Sequence, residues 1–177
     1  MVAKVIDRLI RDVPDFPKPG IVFKDITPIL AHPEAMEQIY TALAEPYKDL
    51  DPPVTKVLGI ESRGFIFGTA LAQKLNVGFV PIRKPGKLPW KTVSESYSLE
   101  YGKDTLEMHE DSLTKGERVV VVDDLLATGG TLGAACRLVE RLGGVVVGCS
   151  IVVELGFLGG RSKLDGQTIH SLINYEG

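Results

Sequence analysis

Arg118–Thr131, R-V-V-V-V-D-D-L-L-A-T-G-G-T, is the stretch from which the fold can be read. Its valines are β-branched and too short a run for a helix, so they form a strand buried on both faces, as in parallel sheets. Two adjacent acids, Asp123 and Asp124, follow where a purely structural strand has no use for them. The chain then passes through Leu125–Gly130 and Thr131 into Leu132–Leu142, whose apolar residues recur at helical spacing. In an open parallel sheet, ligands bind at the carboxyl ends of the strands. A small-residue loop that opens a helix offers unpaired N–H groups and a positive dipole end to an anion.

The pieces imply a ligand with two kinds of group. A turn of Ala127, Thr128, Gly129, Gly130 and Thr131 suits a phosphate, because the glycines let the backbone close in and the threonines add hydroxyl donors. Paired carboxylates suit hydroxyls, as on a ribose, so a sugar phosphate satisfies both. Helix capping alone needs one acid, not two after a buried strand. Neither G-x-x-x-x-G-K-[ST] nor G-x-G-x-x-G occurs.

At 177 residues the chain fits one domain. Apolar content of 44% and charged content of 24% are those of a soluble globular protein. A net charge of −3 argues against a general nucleic-acid or membrane-surface binder. No apolar run approaches the roughly 20 residues that span a bilayer, and the first dozen residues do not resemble a signal peptide, so a cytoplasmic address is expected. Cys136 and Cys149 are isolated and read as small buried hydrophobes under reducing conditions. His32, His109 and His170 are scattered, so no protein-built metal site is expected.

Upstream, Val5, Ile6, Leu9, Ile10 and Val13 predict one amphipathic helix over Val2–Val13, ended by Pro14. Ile21–Ile26 is a short apolar segment, and a second helix starts near Pro33 and ends at Pro46. Val54–Ile60 reads as a strand whose edge is Glu61-Ser62-Arg63-Gly64, before a helix over Phe65–Leu75. An arginine in a first helical turn opposes the dipole, which suggests that Arg63 faces something anionic. Gly78–Ile82 is a third strand, edged by Arg83, Lys84 and Lys87. A cationic rim beside a phosphate turn is what a pyrophosphate needs. Leu88–Tyr101 is long and without helical period, the mark of a lid or of disorder, and Ser94–Tyr101 can pair with Thr105–His109 as a two-stranded flap. Val145–Val153 and Thr168–Ile173 complete the strands. The alternation predicts an α/β fold with an open parallel sheet and helices on both faces.

D-D-L-L-A-T-G-G-T resembles the phosphoribosyl pyrophosphate (PRPP) signature of the type I phosphoribosyltransferases, and its wording is similar to that of the members acting on adenine. F-P-K-P-G-I-V-F-K-D-I and S-Y-S-L-E-Y-G carry the same resemblance, which extends from Phe16 to about Tyr175. It implies transfer of the phosphoribosyl group of PRPP to adenine, giving AMP and pyrophosphate, in a cytoplasmic homodimer serving purine salvage. It implies one domain over 1–177, with a small N-terminal cap over 1–30, a flexible catalytic flap over 83–104 and the PRPP motif at 119–131. Phe23 would stack on the purine opposite Leu125, and backbone groups of Val22 and Lys24 would read its edge. Glu100 would exchange a proton with the base, and Tyr101 would join the PRPP and AMP contacts. Asp123 and Asp124 would take the ribose hydroxyls, and Arg63, Arg83, Lys84 and Lys87 the pyrophosphate. Mg²⁺ would be held mainly by substrate oxygens. Two other readings stay open on the residues alone: transfer to another base, and a non-catalytic regulator that senses PRPP.

Overall fold

Five parallel strands form the central sheet of the computed structural model, which describes residues 2–98 and 102–177. They are β3 (Lys56–Ile60), β4 (Gly78–Ile82), β7 (Arg118–Leu126), β8 (Val145–Leu155) and β9 (Ile169–Tyr175), in the spatial order β4-β3-β7-β8-β9. The valines of β7 are completely buried and alternate between two cores. Val119 and Val121 pack with Leu58, Ile60 and the helix α5 (Gly130–Arg141). Val120 and Val122 pack with Val57 on the other face, beneath α1 (Val2–Leu9), α3 (Pro33–Ala44) and α4 (Gly64–Leu75). Each such side chain contributes about 1.5–3 kcal/mol of burial, which is why the run decides the fold. Because α4 follows β3 on one face and α5 follows β7 on the other, a crevice opens between the carboxyl ends of these two central strands.

The N-terminal segment departs from expectation. The helix stops at Leu9, and Arg11–Pro14 becomes a strand, β1, antiparallel to β2 (Val22–Asp25). Pro14 disfavours helical geometry at Val13, and Val13 instead pairs with Phe23 across the hairpin. A one-turn helix, α2 (Thr27–Leu30), precedes α3. The central strand also runs further than expected: β7 continues through both acids to Leu126, so the phosphate turn shrinks to Ala127–Gly129.

The flap strands are β5 (Thr92–Ser98) and β6 (Lys103–His109), with Tyr97 opposite Asp104. Leu106, Met108 and Tyr97 sink into the core under α5, so the root of the flap belongs to the sheet's own packing. Backbone bonds between Arg83 and Glu107 fasten β6 to the end of β4. Cys136 and Cys149 are buried free thiols with sulfurs 3.7 Å apart. Among the described residues no helix is long and apolar enough to cross a membrane.

Candidate active site

The crevice is a cleft of about 370 Å³ at the carboxyl ends of β3 and β7. It is lined by Arg63, Lys84, Asp123, Asp124, Leu125 and the turn Ala127–Thr131, together with Glu61, Ser62, Leu126 and Leu132. Its floor follows from the turn: Gly129 takes a left-handed φ of +80° and α5 begins without a side-chain cap. The first intrahelical bond there is Gly133 N–H to the Gly129 carbonyl at 2.9 Å, so the N–H groups just before it have no intrahelical acceptor among the described residues and can face a ligand.

Gly129 is required by a close approach as well as by its φ. A Cβ there would collide with the carbonyl of Gly160, and a Cβ on Gly160 would collide with the carbonyl of Ala127. The loop bearing Gly160 thus backs the phosphate turn directly. Arg161 fixes that loop, donating to both oxygens of the buried Glu154 carboxylate at 2.6 and 2.8 Å, while Ser171 Oγ donates to the same carboxylate at 2.6 Å. The Arg161 bonds hold Glu154 below the usual carboxylate range against the cost of its burial.

Asp123 and Asp124 lie side by side, Asp124 buried and Asp123 partly so. Burial, then the neighbouring Asp124 charge, pushes the Asp123 carboxyl well above the ordinary aspartate range. Burial also raises Asp124, although the Arg63 guanidinium opposes it. Arg63 Nε lies 2.9 Å from Asp124 Oδ2, and its guanidinium stands 5.6 Å from the Phe23 ring centroid. One arginine at the start of α4 therefore joins the N-terminal cap to the acid pair. Phe23 also takes the edge of Phe16, with centroids 5.2 Å apart.

The cation rim is organised by a residue the sequence reading passed over. Glu61, at the end of β3, accepts from Arg83 Nε at 3.2 Å, the Lys84 backbone N–H at 2.8 Å and Lys87 Nζ at 3.1 Å. Burial raises its carboxyl, but these donors outweigh it and the net displacement is downward. Arg83 and Lys87 accordingly turn toward Glu61 and do not line the cleft, whereas Lys84 does. The signal was present: an acid ending a buried strand, as at Asp123. Lys84 Nζ contacts Asp104 and donates to Tyr97 Oη at 3.2 Å; the same phenol donates to Asp104 at 3.1 Å and accepts from Thr131 Oγ at 3.2 Å.

Val22 and Lys24 stand on β2, whose only sheet partner among the described residues is β1, so one edge of its backbone is not used by the hairpin. Lys24 Nζ is held by Asp12 at 2.7 Å and lies 4.3 Å from the Tyr175 ring centroid. Glu100 and Tyr101 lie outside the described residues. Among the described residues no three His, Cys, Asp or Glu side chains gather as a metal-binding group.

The family model of the phosphoribosyl transferase domain matches residues 25–165 of the chain. An adenine phosphoribosyltransferase of Thermobifida fusca is 54% identical over 171 residues, 97% of this chain and 96% of that protein. The crystal structure of adenine phosphoribosyltransferase from Thermoanaerobacter pseudethanolicus superposes with a TM-score of 0.93 at 51% identity, covering 98% of this chain and 99% of that one. The enzyme from Saccharomyces cerevisiae, solved with an imino-altritol bisphosphate and adenine, superposes with a TM-score of 0.91 at 39% identity, covering 97% and 98%.

Proposed function

This chain belongs to the phosphoribosyl transferase family, among its adenine phosphoribosyltransferases, and on that premise we propose that it transfers the phosphoribosyl group of PRPP to adenine, giving AMP and pyrophosphate for purine salvage. The observation that carries the reading is a single cleft combining an anion-ready turn, two adjacent acids and a cation at its rim, with the Phe23 ring beside the lining residue Arg63. A sugar that bears a phosphate and a pyrophosphate matches each feature in turn.

In this reading the N–H groups and hydroxyls of Ala127–Thr131 hold the 5′-phosphate, and Asp123 and Asp124 accept from the ribose hydroxyls. The base lies between Phe23 and Leu125, its edge met by backbone groups of Val22 and Lys24. Its N9 bonds to the sugar's C1 as the bond from C1 to the pyrophosphate oxygen breaks. The electron pair leaves with the pyrophosphate, and the ribose passes through positive character that the two acids favour. Lys84 and Arg63 meet the departing charge, while Glu61 presents Arg83 and Lys87 beside them. Glu100 exchanges the proton that the purine ring must lose, and Tyr101 joins the substrate contacts. Closure of the flap excludes water, which would otherwise hydrolyse PRPP.

Magnesium suits a cleft whose acids are hard oxygen donors, with no protein group assigned to it as a direct ligand. Held mainly by substrate oxygens, the ion would neutralise pyrophosphate charge. By family resemblance the chain acts as one domain over 1–177 and as a homodimer in the cytoplasm. Selectivity follows from donors and acceptors: adenine offers an amino donor at C6 and an acceptor at N1, and hypoxanthine the reverse, leaving buried groups unpaired.

The test is to mix the protein with PRPP and Mg²⁺ and supply adenine, guanine, hypoxanthine or orotate in turn. AMP from adenine, with little nucleotide from the others, is expected. Preferential use of another base would overturn the assignment.

A further inference from the structure

Each cation expected to meet the pyrophosphate is paired with a carboxylate in the structure, and the pairs are not alike. Glu61 is 11% exposed and bonded to the Lys84 backbone, so it is a fixed part of the β3 end. Asp124 is one of the sugar-reading acids. Asp104 alone stands on the flap root, 29% exposed, and reaches Lys84 only through its side chain. Tyr97 Oη braces the contact by accepting from Lys84 and donating to Asp104. Burial acts to lower the Lys84 ammonium and raise the Asp104 carboxyl, but their mutual hydrogen bond reverses both displacements, so the pair is fully charged at neutral pH. Asp104 therefore offers Lys84 the same kind of partner as a pyrophosphate oxygen: a charged, hard acceptor.

We propose that Asp104 is a positioning residue that competes with pyrophosphate for Lys84, drawing the ammonium back as the product leaves and so weakening product binding. The inference rests on the reading of Lys84 as a pyrophosphate cation. Lysine suits the exchange, because a compact ammonium on a flexible stem can swing between two acceptors where a forked guanidinium would be held to one. Tyr97 places the exchange beside the phosphate turn, since its hydroxyl also accepts from Thr131. A purely structural Asp104 predicts the opposite sign: removing its charge would loosen Lys84 and weaken anion binding.

The experiment is calorimetric titration of the full chain with inorganic pyrophosphate in excess Mg²⁺. Asp104→Asn should bind roughly two- to tenfold more tightly than the parent, the scale of one partly exposed, hydrogen-bonded ion pair, with the dissociation rate slowed to match. In a Lys84→Ala background the same substitution should change nothing. Unchanged or weaker binding by Asp104→Asn overturns the proposal. So does a tightening that persists without Lys84, which would mark general charge repulsion. If Lys84→Ala alone leaves pyrophosphate affinity intact, the underlying assignment of Lys84 falls and the proposal with it; if it weakens affinity while Asp104→Asn fails to tighten it, only the proposal falls.

Discussion

Asp123 is held where a carboxylate is least comfortable, partly buried beside a second, buried acid. Its folded-state pKa lies above the unfolded value, so the folded chain holds the proton more strongly. The stability contributed by the neutral form is present at low pH and lost as pH rises through the raised folded value. Asp123→Asn keeps an oxygen for the Asp124 N–H, bonded at 2.9 Å, and removes the charge. Its thermal midpoint should therefore exceed the parent's by about 2–4 °C at pH 7, with the gap narrowing toward pH 4, while PRPP affinity falls. A midpoint equal to or below the parent's at pH 7 would show that the acid is not strained. The value of both acids was legible in the sequence because charge after a buried strand is a local anomaly. Tyr97 and Asp104 were not read as site residues because their roles depend on partners brought together by the fold, such as Tyr97 with Thr131, 34 residues apart, whereas Glu61 carried the same local signal as Asp123 and was passed over.

At the scale of elements, β7, its turn and α5 were readable from a run of valines, two glycines and a helical period. What closes on them from behind was not. Gly160 approaches Ala127 from a loop with no periodicity, and Arg161 finds Glu154 only once β8 and that loop are folded. The β1 strand was read as the end of a helix, since apolar spacing over Val2–Val13 suits one and pairing with β2 overrode it. Gly160→Ala tests the backing loop: its methyl group would press on the turn without touching substrate. Overpacking of this kind costs about 1–3 kcal/mol. The concentration of PRPP for half-maximal rate should rise about tenfold, and that of adenine should stay within about twofold. Equal effects on both substrates would mean that the loop supports the whole cleft and not the turn alone.

At the scale of the molecule, three units converge on one cleft: the sheet's carboxyl edge, the N-terminal cap through Phe23 and Arg63, and the flap root through Tyr97 and Asp104. Chemistry and exclusion of water are then assigned to the flap, whose Glu100 was recognised by resemblance. Glu100→Gln should lower turnover by about 10² to 10⁴, the range of general acid–base catalysis, with PRPP affinity unchanged in a direct binding measurement. Undiminished turnover would remove Glu100 from the chemistry. The central claim is that a single turn grips the phosphate of a sugar whose hydroxyls are read by the acids beside it. A crystal structure with AMP bound tests it most directly. The 5′-phosphate is expected within hydrogen-bonding distance of the backbone N–H groups of Thr128–Thr131, with the ribose hydroxyls on Asp123 and Asp124. A phosphate seated anywhere else, with that turn left to solvent, would contradict it.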